Sequence, residues 1–366
     1  MSKQDKVLIV TSEFPPQPGG IGNHAFNLAK ALQKHNFNVE LISDQRSKEN
    51  KEELDFDRQL QFKVYRIKLQ AIRWLMYFKR LFLGFRRAKK NNTIIASGKF
   101  SLWIVAFYSL FLNRNFIAIV HGSEVNLENK LLKRTVNFAL RRFDKIIAVS
   151  NYTKQLIDDL ELSTVTVIPN GIDNTQLKKQ VSNISLSGSP KLITVGNVTD
   201  RKGQLNVIKH IPKLIKIFPD IHYHIVGLPT QANAFLEIAK RLNVENYITF
   251  HGRVSNEELI QFLSSSDIFV MLSSETKEGD VEGFGIAIIE ANYFGLPAIG
   301  ALNCGIEDAI NDNKSGRLIN HDDSDAFIAS IQVIMNDHKS YHENAKQWAN
   351  QHDWNTIIEQ YIKVIK

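Results

Sequence analysis

Short β-branched runs recur along the whole chain, and most are separated by stretches with helical periodicity. In the first half they fall near 6–11, 38–43, 62–68, 93–97, 115–120, 145–150 and 165–168. The rhythm then restarts near 191–196, 222–227, 248–251, 268–272, 297–300 and 316–319. Strand–helix alternation of this kind predicts βαβ units and a parallel sheet covered on both faces. The break between the two series is Lys178 to Pro190, KKQVSNISLSGSP, which is polar, serine-rich and without apolar periodicity. It reads as a linker. A chain of 366 residues is long enough for two domains. Two doubly wound sheets facing each other would leave a cleft at the carboxyl ends of their strands, where ligands of such sheets bind.

The net charge of +7 hides an asymmetry. Residues 1–175 carry 27 Lys+Arg and 16 Asp+Glu, whereas the remainder carries 18 and 22. Between Asp57 and Glu124 there are 13 basic residues and no acidic one. A basic half and a mildly acidic half imply separate tasks. Cys304 is the single cysteine, so no intramolecular disulfide forms, which suits a reducing compartment. The opening MSKQDKVLIV passes from polar residues straight into a strand, without a signal-peptide pattern. The most apolar stretch, Leu102 to Leu112, is too short for the roughly 20 residues of a membrane crossing. The expectation is a cytoplasmic protein able to rest on the inner face of the membrane.

The chemistry concentrates in Asp267 to Gly305, DIFVMLSSETKEGDVEGFGIAIIEANYFGLPAIGALNCG. A buried strand runs into an acidic loop, then Glu282-Gly283-Phe284-Gly285, then a helical stretch to about Phe294. Free N–H groups and partial positive charge at a helix start, with glycines that admit a close ligand, make a cradle for a diphosphate. Glu290 follows Glu282 by eight residues, and carboxylates there can accept hydrogen bonds from sugar hydroxyls. An acidic helix start is the bland explanation of such a pair, and the strand–loop–glycine context argues against it.

Four further segments fall at strand ends. Val195-Gly196-Asn197 is followed by Arg201 and Lys202, which can pair with phosphate oxygens. Pro15 to Gly22, PPQPGGIG, opens a helix, with Gly20 and Gly22 in a loop that is not the dinucleotide pattern. His121-Gly122 follows the strand NFIAIV, and Pro169-Asn-Gly-Ile-Asp173 is a turn. An isolated histidine or Arg-Lys pair is more often structural than functional. The triplets Asp55-Phe-Asp57 and Asp323-Ser-Asp325 follow no apolar strand and read as surface charge.

Taken in order, GGIG, HG, PNGID, VGN-x-x-x-RKG, FHGRV and EGFG-x-x-x-x-E resemble the large family 4 of retaining glycosyltransferases with the GT-B fold, over nearly the whole chain. The block GDVEGFGIAIIEANYFGLPAIG is most similar to the branch of bacterial phosphatidylinositol mannosyltransferases and envelope-glycan enzymes. The resemblance implies an α/β GT-B protein of two Rossmann-like domains. Residues 1–177 would bind the acceptor, with the terminal helix 350–366 crossing back to them, and 190–349 would bind the sugar nucleotide. It implies roles as well. Glu290 would hold the ribose hydroxyls and Glu282 the transferred sugar. The amides of Phe284, Gly285 and Ile286 would line the sugar and phosphate site beside Gly283 and Gly196. Arg201 and Lys202 would bind the diphosphate, and His121 would approach the reacting centre. Gly20 and Gly22 would let the first domain close over the phosphates. Loops near Gly227 and His251-Gly252-Arg253-Val254 would meet the base. No metal and no other cofactor is implied. The donor expected first is GDP-mannose, then UDP-hexoses or UDP-N-acetylhexosamines, and the acceptor is a glycan or a lipid-linked molecule. The alternatives are a non-catalytic sugar-nucleotide-binding scaffold of the same fold, and an epimerase or phosphorylase, for which no motif is present.

Ala71 to Lys90, AIRWLMYFKRLFLGFRRAKK, is basic and aromatic. At 100° per residue, Ala71, Trp74, Leu75, Phe78, Leu81, Phe82 and Phe85 share one face. Arg73, Arg80 and Arg87 lie opposite, with Lys79 and Arg86 on a flank. Such a helix can lie on an anionic bilayer with its aromatic face immersed. The competing expectation packs the apolar face on the sheet and leaves the arginines solvated. Nucleic acid is not expected, because no recognition motif accompanies the charge.

Overall fold

The computed structural model describes residues 5–17, 19–47, 49–70, 73–162, 164–177, 184–277 and 279–366. The chain divides into two compact units, Met1–Gly171 with Trp354–Lys366, and Ile172–Asp353.

In the first unit seven strands form one sheet: β1 (Lys6–Thr11), β2 (Asn38–Asp44), β3 (Lys63–Ile67), β4 (Thr93–Ser97), β5 (Asn115–Val120), β6 (Lys145–Ala148) and β7 (Val165–Val167). Their order is β3-β2-β1-β4-β5-β6-β7, and every pairing is parallel. In β1, Leu8 and Val10 enter one core layer with Ile94, Ala96, Ala118 and Val120, while Val7 and Ile9 are equally buried. Burial on both faces is why these strands read as continuous apolar runs rather than alternating ones. The second unit repeats the plan with β8 (Lys191–Val195), β9 (His222–Val226), β10 (Ile248–Gly252), β11 (Ile268–Met271), β12 (Ala298–Ala301) and β13 (Gly316–Ile319). The order is β10-β9-β8-β11-β12-β13, again parallel throughout. All thirteen strands fall within two residues of the runs that the sequence shows. In each sheet the order reverses beside the first strand, between β1 and β4 and between β8 and β11. These are the switch points at which doubly wound sheets leave room for ligands.

The terminal helix Trp354–Ile365 packs in the first unit, on the helix Gly20–Lys34. Tyr361 and His24 share a hydrogen bond of 2.8 Å between Oη and Nε2, and Asn115 Nδ2 donates to the Ile365 carbonyl at 2.9 Å.

The basic helix, Arg73–Ala88, corrects one sequence expectation. Its arginine face turns inward. Arg80 is buried and paired with Asp44 of β2, and Arg87 pairs with Glu40 of β2 at 3.4 Å while lying 4.0 Å above the Tyr65 ring. Gly84 lets Tyr108, on the helix Lys99–Ser109, approach so closely that a Cβ would fall 2.0 Å from its hydroxyl. That hydroxyl donates to the carbonyls of Arg80 and Leu81. Phe78 and Phe82 point outward, 52% and 73% exposed. The expectation of solvated arginines is therefore overturned, while the apolar face is divided, with Leu81 and Phe85 packed against the core and Phe78 and Phe82 outside it. Two strand carboxylates on β2 must be paired when a helix covers them, and that requirement outweighs the burial of two phenylalanines. Ala71 and Ile72, and the side chains of residues 73–75, lie outside the described residues, as does 178–183 of the linker.

The two Asp-x-Asp triplets are also more than surface charge. Asp57 pairs with the buried Arg66 at 2.8 Å, although Asp55 is exposed and bridges only Arg58. Asp323 caps the helix Ser324–Asn336, accepting from the N–H groups of Asp325 and Ala326. Among the described residues no helix is long and apolar enough to cross a membrane.

Candidate functional site

In the second unit the loops after β8 and β11 meet at the switch point. After Val195 the chain passes Gly196 and Asn197 into a short turn, Asp200–Lys202, closed by Gly203 at φ +77°. A Cβ at Gly203 would lie 2.1 Å from the Leu272 carbonyl oxygen, so the two loops touch backbone to backbone only because this residue is glycine. Gln204 Nε2 donates to the Asn197 carbonyl at 3.1 Å, and Asn206 Nδ2 donates to the Leu272 carbonyl at 2.8 Å. These bonds fix the turn that presents Arg201 and Lys202, and the Lys202 stem passes over Gly196.

From β11 the acidic loop leads to Glu282. The Gly305 N–H donates to the Glu282 carbonyl at 2.8 Å, and a Cβ on Gly305 would collide with Gly283. Gly285, at φ +88°, is the cap of the helix Ile286–Tyr293. The helix starts directly after the Glu282-to-Gly285 run, so Glu290 stands four residues after its first residue, about one turn along it. The Glu282 carboxylate is buried and receives Arg201 through Nη1, Lys202 Nζ at 2.8 Å and the Gly285 N–H. Burial pushes its pKa upward, but Lys202 and then Arg201 outweigh that and hold it below the usual range. Glu290 lies in the same field with less help. Burial raises it to about 7, and Lys202 offsets only part. Arg201, Lys202, Glu282 and Gly196 are thus brought together with Gly283, Phe284, Gly285 and Ile286. Arg253 and Val254 follow β10, whose end adjoins this group through Gly227: the Gly227 N–H donates to the Gly252 carbonyl at 2.9 Å, and Gly227 packs on the Gly196 backbone.

The first unit gathers a different set at its own switch point. Gly20 and Gly22 open the helix Gly20–Lys34. Gly22 packs within 3.0 Å, for an added Cβ, of the Glu13–Phe14 backbone, whereas Gly20 faces open space. His121 ends β5. Its Nε2 is 2.9 Å from Ser97 Oγ at the end of β4, and its ring meets His24 edge-on with centroids 5.0 Å apart. Burial pushes His121 down to about 4 and His24 well below its usual value, so both imidazoles are neutral near pH 7. Glu124 Oε1 accepts the His121 N–H at 2.7 Å, while the buried Oε2 has no partner. Burial raises this carboxyl to about 7.

Sequence reasoning passed over Glu124, Ser97, Tyr361 and Asp280. A signal existed for one of them: Glu124 is the first acid after 66 residues without any. Chemically, the second unit offers two cations and helix-start amides to an anion, with carboxylates for hydroxyls. The first offers neutral imidazole to an uncharged polar group.

Comparison with known proteins identifies this arrangement. The family Glycosyltransferase Family 4 matches residues 18–176, and Glycosyl transferases group 1 matches residues 153–351. The GDP-mannose-dependent alpha-(1-6)-phosphatidylinositol monomannoside mannosyltransferase of Mycolicibacterium smegmatis is 24% identical over 356 residues, covering 90% of this chain and 89% of that protein. A GDP-mannose-dependent monoacylated alpha-(1-6)-phosphatidylinositol monomannoside mannosyltransferase of Corynebacterium glutamicum is 25% identical, covering 92% and 90%. Among solved structures, Anabaena HepE in complex with UDP and glucose superposes with a TM-score of 0.79 at 19% identity, covering 99% of each chain. The fold is that of the GT-B glycosyltransferases. With more than half of its length matched by that one description, the chain belongs to the glycosyl transferases group 1 family.

Proposed function

We propose that the protein is a retaining, metal-independent hexosyltransferase that draws on a nucleotide-diphosphate sugar. GDP-mannose is the first candidate donor, followed by UDP-hexoses and UDP-N-acetylhexosamines. The acceptor is a glycan or lipid-linked molecule in the synthesis of an envelope polysaccharide or glycolipid. The observation that carries this reading is the convergence of Arg201 and Lys202 on Glu282 beside the helix start at Gly285. The names of the two mannosyltransferase relatives support GDP-mannose, and HepE's bound UDP and glucose support the wider donor class.

In this reading the bond from the sugar's anomeric carbon to the β-phosphate oxygen breaks, and the nucleoside diphosphate gains negative charge. Arg201, Lys202 and the helix-start amides stabilise that charge where it develops. Because these cations belong to the protein, no metal is invoked. The acceptor oxygen attacks the face from which the phosphate departs, and the leaving phosphate takes the acceptor's proton. Glu282 accepts from sugar hydroxyls, Glu290 from ribose hydroxyls, and neutral His121 hydrogen-bonds near the reacting centre. The test is nucleoside diphosphate release from a panel of sugar nucleotides with acceptor extract, preceded by thermal shift against GDP and UDP. Wild type should turn over one donor, and Glu282→Ala and His121→Ala should not. No turnover with any donor favours the non-catalytic scaffold.

The reading extends to a partner. The helix Arg73–Ala88 contacts an anionic membrane through its outward Phe78 and Phe82 and the exposed Lys79 and Arg86. Vesicle flotation tests this: binding unaffected by Lys79→Glu with Arg86→Glu removes the membrane from the account.

A further inference from the structure

Both cations of the second unit's site are already engaged. Arg201 bonds Glu282 through Nη1 and Asp280 through Nε at 3.2 Å, while Lys202 Nζ reaches the same Glu282 oxygen at 2.8 Å. Two positive and two negative side chains therefore cancel locally. The two acids differ in setting. Glu282 is buried and also receives the Gly285 N–H, whereas Asp280 is half exposed, at 49%. Asp280 is nevertheless held in place. Its N–H donates to Thr276 Oγ1 at 3.2 Å, and its carbonyl accepts from the Thr276 N–H at 2.9 Å. The turn so formed keeps its carboxylate against the guanidinium.

An incoming diphosphate meets cations that have counter-ions, so it binds by exchange. Phosphate oxygens replace carboxylate oxygens on Arg201 and Lys202. Glu282 is thereby released toward hydroxyl groups, whereas Asp280 returns to water, which solvates it well. We infer that Asp280 is a competing counter-ion for Arg201, weakening the hold on the diphosphate and recapturing the guanidinium as the nucleoside diphosphate departs. The inference rests on reading Arg201 and Lys202 as the diphosphate cations. It assigns Asp280 a part in regulating that site rather than in bond making. Its size follows from its exposure. Surface pairs are weak, so removing the competitor strengthens diphosphate binding by about two- to fivefold.

The experiment is calorimetric titration of the full chain with inorganic pyrophosphate, UDP and GDP, comparing wild type, Asp280→Asn and Arg201→Ala. Asparagine keeps the size and the backbone turn while removing the charge. Asp280→Asn should bind pyrophosphate about two- to fivefold more tightly, with the gain shrinking as salt is raised. Stopped-flow measurement should show slower release of whichever nucleoside diphosphate binds. Unchanged or weaker pyrophosphate affinity in Asp280→Asn overturns the inference while leaving the diphosphate site intact. If wild type binds none of the three probes, or Arg201→Ala binds them all as wild type does, the diphosphate reading fails and the inference with it.

Discussion

Glu124 in the first unit and Glu282 in the second are both buried carboxylates at the end of a central strand's loop, yet they titrate in opposite directions. Glu124 has the backbone N–H of His121 as its close partner, and burial lifts it to about 7. Glu282 suffers the same burial, but Lys202 and Arg201 overcome it. The difference lies in two side chains rather than in depth. It extends to the neighbours: burial keeps His24 and His121 uncharged, whereas Arg201 and Lys202 are ion-paired with Glu282. Burial that counter-charge does not outweigh, as at Glu124 with only Lys99 acting on it, produces a neutral polar site suited to hydroxyl groups. Burial with counter-charges produces an exchangeable ionic site, suited to a diphosphate.

The most severe way to break this contrast is to remove both cations. Arg201→Ala with Lys202→Ala places Glu282 close to the situation of Glu124, where the one cation acting on the carboxyl, Lys99, does not outweigh burial. Its carboxyl should then titrate upward, which a carboxyl-edited NMR titration would follow. Two charge-stabilising donors, each worth about 10²–10³ in rate, are lost together, so turnover should fall by about 10⁴-fold. A nucleoside diphosphate release assay that finds less than a tenfold loss would remove both residues from the chemistry.

The same distinction, between cations that neutralise an acid and cations that face water, divides the basic helix Arg73–Ala88. Arg80→Ala strands Asp44 beneath the helix and should cost about 3–5 kcal/mol in a urea unfolding experiment. Lys79→Glu with Arg86→Glu changes exposed positions and should alter stability by no more than about 0.5 kcal/mol. The pair of exposed changes should abolish vesicle binding all the same. If Arg80→Ala is as stable as wild type, the helix does not sit on β2 through its ion pair.

Much of this was legible in the amino-acid sequence, for a physical reason. A strand buried on both faces must be apolar almost throughout, so β1, β4, β5 and β11 announced themselves most plainly, whereas the part-buried β3 and β7 were marked by β-branched and aromatic residues. The Arg201-Lys202 and Glu282 segments were legible because glycines mark the places where backbone must come close, as Gly203 and Gly305 do. The facing of the basic helix was not legible. A helical wheel separates Phe78 and Phe82 from Arg80 and Arg87, but which side meets the sheet depends on Glu40 and Asp44, far earlier in the chain. Four of the 13 cations in the acid-free run, Arg58, Arg66, Arg80 and Arg87, reach back to acids that precede it, and all but the exposed Arg58 are withdrawn from solvent, so local charge counts overstated the solvated charge. Asp280 escaped notice because its partner, Arg201, lies on another loop.

The smallest expected effect addresses the neutral half of the contrast directly, through pH. A carboxyl raised in the folded protein binds its proton more tightly there than in the unfolded chain. Glu124, moved from 4.5 to about 7, therefore contributes stability that is fully present below pH 4.5 and is lost as pH rises through about 7. His121 has the opposite sign. With its folded value near 4, its contribution is present above 6.5 and is lost as pH falls through about 4. Glu124→Gln keeps an acceptor for the His121 N–H but cannot ionise. The melting temperature of Glu124→Gln relative to wild type should therefore climb with pH, by about 2–4 °C between about pH 5 and pH 8.5. His121→Asn should show the reverse, gaining on wild type only as pH drops below about 6. A Glu124→Gln difference that stays flat across that range would mean Glu124 is ionised in the folded protein at neutral pH. The first unit's site would then be charged like the second, and burial alone would not be what keeps the two apart.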